Sequence, residues 1–121
     1  MERGIALMIT IDTLNAFGAD TKSGLSRCMN SEAFYLRLVH MELGDKNFEK
    51  LADAMAAGDA AGAFEAAHAI KGAAGNLSLT PIFAPVSELT ERLRGAASMP
   101  ETGDLAQRVL GAFGELKKLA E

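Results

Sequence analysis

Apolar positions recur along most of this chain at alternating spacings of four and three residues. Ala63, Ala67, Ile70, Ala74 and Leu77 follow that rule, as do Ile82, Val86, Leu89 and Leu93. Leu105, Val109, Ala112, Leu116 and Leu119 continue it to the end of the sequence. Side chains three and four apart share one face of an α-helix, so each series predicts an amphipathic helix with one apolar stripe. Upstream, Phe34, Leu38 and Met41 keep the same spacing, and Phe48, Ala52 and Met55 resume it seven residues after Met41. The phase passes through Gly44 and Asp45, which predicts one long helix over 31–57, bent at Gly44; two helices with a tight joint are the alternative. No segment alternates apolar and polar residues convincingly, so no strand is expected.

The punctuation between these stripes sets the boundaries. A short helix is expected from Thr10 to Phe17 with Gly18 as its stop, and Asp20 or Thr21 can cap a second one reaching Met29. Ser31 is an N-cap, and Glu32 complements the positive end of the helix that follows. Gly58-Asp59 ends one helix and caps the next, which runs from Ala60 to Leu77. Thr80-Pro81 offers a capping hydroxyl followed by proline at the first helical position, with Pro85 near the end of the first turn. Gly95 to Thr102, with Pro100, reads as a loop. Asp104 then caps the last helix, whose negative end Lys117 and Lys118 complement. Four long amphipathic helices and short loops give an all-α fold, an antiparallel up-down four-helix bundle over 31–120. Short N-terminal helices over about 5–29 precede it, in a single domain of residues 1–121.

Composition narrows the function classes. The 121 residues carry a net charge of −4 and no basic run, which argues against a nucleic-acid partner. Cys28 is alone, so neither an internal disulfide nor a Cys/His zinc spacing is available, and a reducing cytoplasm is expected. The one continuous apolar run, Ile5 to Ile11, is too short to span a membrane and is expected to pack on the bundle. A monomer is expected.

Against that background His68 stands out. Lys71, Gly72 and Gly75 lie at i+3, i+4 and i+7 from it, on one stripe opposite the apolar seam. Glycine inside a helix costs about 1 kcal/mol relative to alanine, and two of them beside one histidine clear the approach to its imidazole. Imidazole titrates near neutrality, so a nucleophilic ring nitrogen is available at cellular pH. Lys71 can hydrogen-bond phosphoryl oxygens as a point charge. Phe64, one turn earlier on nearly the same face, and Ala61, a turn before that, are candidates for partner contact; Phe64 tucked against a neighbouring helix is the alternative. Asn76 is either a C-terminal cap or a polar contact. His40 has no lysine at i+3 and no small residues around it, and serves as the internal control.

The segment from His68 to Ser78, His-Ala-Ile-Lys-Gly-Ala-Ala-Gly-Asn-Leu-Ser, resembles the signature of the histidine-containing phosphotransfer (HPt) domain. A weaker resemblance, in helix order and in the Leu89-x-x-x-Leu93 helix, covers most of the chain from about residue 31 onward. It implies a four-helix bundle whose exposed histidine, here His68, takes a phosphoryl group on its distal nitrogen and exchanges it with receiver-domain aspartates. Ser78 stands where the family's final glycine is usual, and touches the helix end and not the acceptor. The chain has no phosphate-binding glycine loop, no ATP lid and no paired acidic cluster for Mg²⁺. It is expected to need no cofactor, with Mg²⁺ and in-line geometry supplied by the partner receiver. Receiver domains of response regulators and a sensor or hybrid histidine kinase are the implied partners. A non-catalytic bundle that sequesters receivers is the alternative. An excised piece of a hybrid kinase is disfavoured by the final helix ending at Glu121, and a metal-binding bundle by the lack of Glu-x-x-His pairs.

Overall fold

The computed structural model describes residues 9–121, and every regular element among them is a helix. They are α1 (Ile11–Phe17), α2 (Thr21–Arg27), α3 (Glu32–Glu42), α4 (Asn47–Ala57), α5 (Ala60–Asn76), α6 (Thr80–Leu93) and α7 (Gly103–Lys118). The last four close a cycle: α5 packs on α4 and α6, and α7 packs on α6 and α4. Ala63, Ala67, Ile70 and Ala74 of α5 are buried as the spacing predicts, and so are Ile82, Val86, Leu89 and Leu93 of α6. Phe48 and Phe113 stack across α4 and α7 with ring centroids 3.7 Å apart. The run Ile5–Ile11 falls largely outside the described residues; Ile9 and Ile11 are half-buried against the core.

Residues 31–57 form two helices, not one. The buried residues of α3 are Tyr35, Val39 and Glu42, one position away from the expected Phe34, Leu38 and Met41; Met41 is 64% exposed. In α4 the buried set is Phe48, Leu51 and Ala54. Glu42 and Phe48 are six residues apart, where an unbroken stripe would need seven, so the two buried faces are out of phase. Between them Asp45 Oδ1 accepts from both the backbone N–H and the side-chain amide of Asn47, each at 2.9 Å, which restarts the chain as a new helix.

Several caps follow expectation and three do not. Asp20, Ser31 and Asp59 accept from backbone N–H groups at the starts of α2, α3 and α5 as expected, and Thr10, expected as the first helical residue, instead caps α1. α2 stops at Arg27, short of Met29. α6 starts one residue early: Leu79 holds the cap position, Thr80 and Pro81 occupy the first two helical positions, and the Thr80 hydroxyl caps nothing. Pro85 therefore lies in the second turn, buried, where the carbonyl four residues back is that of Pro81. α7 starts from Thr102, so Asp104 sits in the first turn and favours the helix dipole without capping it.

The N-terminal helices are pinned to the turn between α5 and α6. Asp20 N–H donates to Ser78 O at 2.9 Å, and the buried Tyr35 hydroxyl donates to Leu77 O at 2.8 Å. Gly24 of α2 lies against the Tyr35 ring, where a Cβ would stand 2.5 Å from ring carbons. These contacts set α2 beside the C-terminal half of α5.

Candidate functional site

α5 delivers His68 to solvent because its opposite face is fully committed to the core. Ala63, Ala67 and Ile70 are each 0% exposed, which fixes the rotation of the helix, and His68 is exposed. A Cβ built on Gly72 would meet nothing within 4 Å, so the space one turn after the imidazole is open.

Gly75 is different. A Cβ there would stand 3.0 Å from Phe83 Cε1, so the position is a notch that receives the Phe83 ring from α6. The two glycines expected to form one bare stripe therefore differ: Gly72 faces open space and Gly75 packs.

An open groove of about 490 Å³ runs beside this face. From α5 it takes His68, Lys71, Gly72, Gly75 and Asn76. Asp20 and Arg27 come from α2 and its cap, and Ser78, Thr80 and Phe83 from the turn and start of α6. Ser78 does reach the groove, which corrects the expectation that it touches only the helix end. Its φ of 55° puts it in the left-handed region. Ser78 N–H donates to Gly75 O and Leu79 N–H to Ala74 O, the pair of bonds that closes a helix through a left-handed residue and usually selects glycine. Asn76 is exposed on the groove wall, and the described hydrogen bonds do not include its side chain.

On the other side of His68 the expected neighbours separate. Phe64 is half-buried against the core, and its ring stacks on His68 with centroids 5.7 Å apart. The Arg94 guanidinium lies over the Phe64 ring at 5.2 Å. Phe64 is therefore both packed and adjacent to the imidazole, though outside the groove. Ala61 is exposed a turn further back and also lies outside it. His40 is exposed on α3 and lines no part of the groove.

Lys71 Nζ lies 4.0 Å from Glu91 Oε2, and the same carboxylate takes two hydrogen bonds from Arg94, at 2.9 and 3.3 Å. The Arg94 guanidinium holds the Glu91 carboxyl below the usual carboxylate range, with smaller contributions from Lys71 and His68. Lys71 thus faces an opposite charge at rest, through a long pair between a half-buried lysine and an exposed glutamate, of the kind worth little. Among the described residues no three His, Cys, Asp or Glu side chains cluster as metal ligands do. No helix among them is long and apolar enough to cross a membrane.

Arg27, Phe83, Glu91 and Arg94 were not foreseen. Phe83 carried a weak signal, an aromatic residue next to the Ile82 stripe and off its phase. The other three reach the site only through tertiary packing.

A family model described as the Hpt domain matches residues 38–121, well over half of the chain. No curated protein and no solved structure gives a significant match. The match covers α4 to α7 with the end of α3, and so includes the helix that carries His68. The chain belongs to the Hpt-domain family, whose members carry out histidine phosphotransfer in phosphorelays.

Proposed function

We propose that this chain is a phosphocarrier that takes a phosphoryl group on His68 from a receiver-domain aspartate, or from a kinase, and passes it to another response regulator. The observation that carries the reading is an exposed imidazole with nothing beside it at Gly72 and an ammonium group at i+3. The cycle of α4 to α7 fits the antiparallel up-down bundle expected of such a carrier.

In the forward step a neutral ring nitrogen of His68, Nε2 by family resemblance, attacks the phosphorus of an aspartyl phosphate. The N–P bond forms as the bond from phosphorus to the aspartate oxygen breaks, and the carboxylate leaves. The second ring nitrogen keeps its proton, so the phosphorylated ring is cationic until that proton is released. Lys71 swings from Glu91 to a phosphoryl oxygen, a cheap exchange because the resting pair is long and open to solvent on the glutamate side. Mg²⁺ and the in-line geometry come from the receiver, as the loose transition state of phosphoryl transfer requires. Gly72 leaves room for the receiver's backbone, and Phe64 and Asn76 flank the contact. The carrier works as a monomer in the cytoplasm, where receivers and kinase domains meet it.

Incubation with a panel of phosphorylated receivers tests this reading. The expected result is an acid-labile label on the chain that a second receiver removes. Failure of every active receiver to label it would contradict the proposal, and stable complexes without label would favour sequestration.

A further inference from the structure

The matched residues begin at 38, so α1 and α2 lie outside the part of the chain the family accounts for. Yet α2 forms one wall of the groove that holds His68. Arg27, its last residue, lines that groove together with Lys71, from a different element. We propose that Arg27 is a second cation for the phosphoryl group on His68, so that α2 and α5 together make a two-cation phosphoryl site. The inference rests on His68 being the acceptor.

Three features support it. The guanidinium is a planar fork of donors suited to two phosphoryl oxygens, and it lines the same groove as the His68 imidazole. The ion pairs found among the described residues engage Lys71, Arg92 and Arg94, and do not include Arg27. The arginine is also not on a loose arm. Asp20 N–H is bonded to Ser78 O, and Gly24 is seated on the fully buried Tyr35, whose hydroxyl is bonded to Leu77 O. The one carboxylate on the groove wall, Asp20, accepts Ser23 N–H at 3.2 Å and so is held at the start of α2, at the opposite end from Arg27.

The direction of the effect follows from charge. A phosphoryl group on nitrogen carries its full negative charge on three oxygens, and that charge falls as a metaphosphate-like transition state forms. A cation on those oxygens therefore holds the ground state more than the transition state and lengthens the life of the phosphohistidine.

The full chain, phosphorylated by a receiver and then separated from it, provides the test. Half-life of the label and the ³¹P chemical shift are read for the unaltered chain, Arg27→Gln, Arg27→Lys, Lys22→Gln and Gly24→Ala. Arg27→Gln should shorten the half-life about threefold, the size expected of one exposed charge contact, and move the ³¹P shift. Arg27→Lys should fall between. Lys22→Gln, which removes a charge from α2 outside the groove, should change neither. Gly24→Ala, which forces α2 off Tyr35, should shorten the half-life at least as much as Arg27→Gln. An Arg27→Gln chain labelled on His68 with unchanged half-life and shift would overturn the proposal while leaving the carrier reading intact. Absence of label on His68 in the unaltered chain would overturn both.

Discussion

The ring of Phe83 occupies the place that a side chain on residue 75 would take: a Cβ on Gly75 would stand 3.0 Å from Phe83 Cε1. Gly72, one turn earlier on the same helix, faces open space. Two glycines of one motif thus do different things, and stability measurements separate them. Gly72→Ala should raise stability by about 1 kcal/mol, the usual gain for a helix-interior position. Gly75→Ala should gain less, because the Phe83 ring must shift; that ring is 37% exposed and able to move. Denaturant melts of both variants decide it. Gly72→Gln should also fold stably but slow transfer from a receiver, since its side chain fills the clearance beside His68.

Ser78 closes α5 with φ at 55°, a conformation in which a Cβ is strained. Ser78→Gly should therefore stabilise the fold by about 1 kcal/mol. The Schellman bonds to Gly75 and Ala74 stay intact, so the groove keeps its backbone and transfer should change little, the Ser78 hydroxyl being the one group lost from its wall. A melt and a transfer assay on one sample check both halves of this expectation.

Glu42 brings a pH dependence unrelated to the groove. It is 9% exposed, and Oε2 has no hydrogen-bond partner. Burial, then the hydrogen bond and charge of Asp45, push its carboxyl up to about 8 from an ordinary value of 4.5. Between those values the folded state binds more protons than the unfolded one, so Glu42 lowers stability as pH rises from 4.5 and levels off above 8. Glu42→Gln should remove that slope. The variant's advantage over the unaltered chain should grow through the window to on the order of 5 kcal/mol. Urea melts across the window provide the measurement, and a constant difference at all pH values would contradict the account.

Lys71 and Phe64 should act on different steps. Lys71→Ala removes the proposed contact to the phosphoryl group and little area. It should slow transfer or shorten the phosphohistidine lifetime, with little change in receiver affinity. Phe64→Ala removes a half-buried ring stacked between His68 and Arg94. It should destabilise the fold by about 1.5 kcal/mol, roughly half the cost of a fully buried phenylalanine. It should also weaken receiver binding by about 1–2 kcal/mol. Calorimetric titration with a non-transferring receiver, run beside a denaturant melt, separates the two effects.

The all-helical fold and the rotation of α5 were legible because the four-three spacing of Ala63 to Leu77 reports directly on a buried face. The α3–α4 joint was not. Phe34, Leu38 and Met41 imitate a seam, but α2 and the Tyr35–Leu77 hydrogen bond draw the neighbouring stripe inward instead. The Asp45 side chain then restarts the helix out of phase. At the site, His68, Lys71 and Gly72 are local in sequence and could be read from it. Arg27 and Phe83 could not, since each reaches the groove through packing between elements far apart in the chain. The distinction between Gly72 and Gly75 needed the same tertiary information.

His68, and not His40, is the proposed phosphoryl acceptor. Both are exposed helical histidines, but only His68 borders the groove and has Lys71 and Gly72 beside it. The most direct measurement is site mapping of the label by mass spectrometry under neutral conditions. It is applied to the unaltered chain, His68→Gln and His40→Gln after exposure to a phosphorylated receiver that labels the unaltered chain. Label is expected on His68 in the unaltered chain and in His40→Gln, and none in His68→Gln, with helix content the same in all three. Label on His40, or label that persists in His68→Gln, would contradict the proposal.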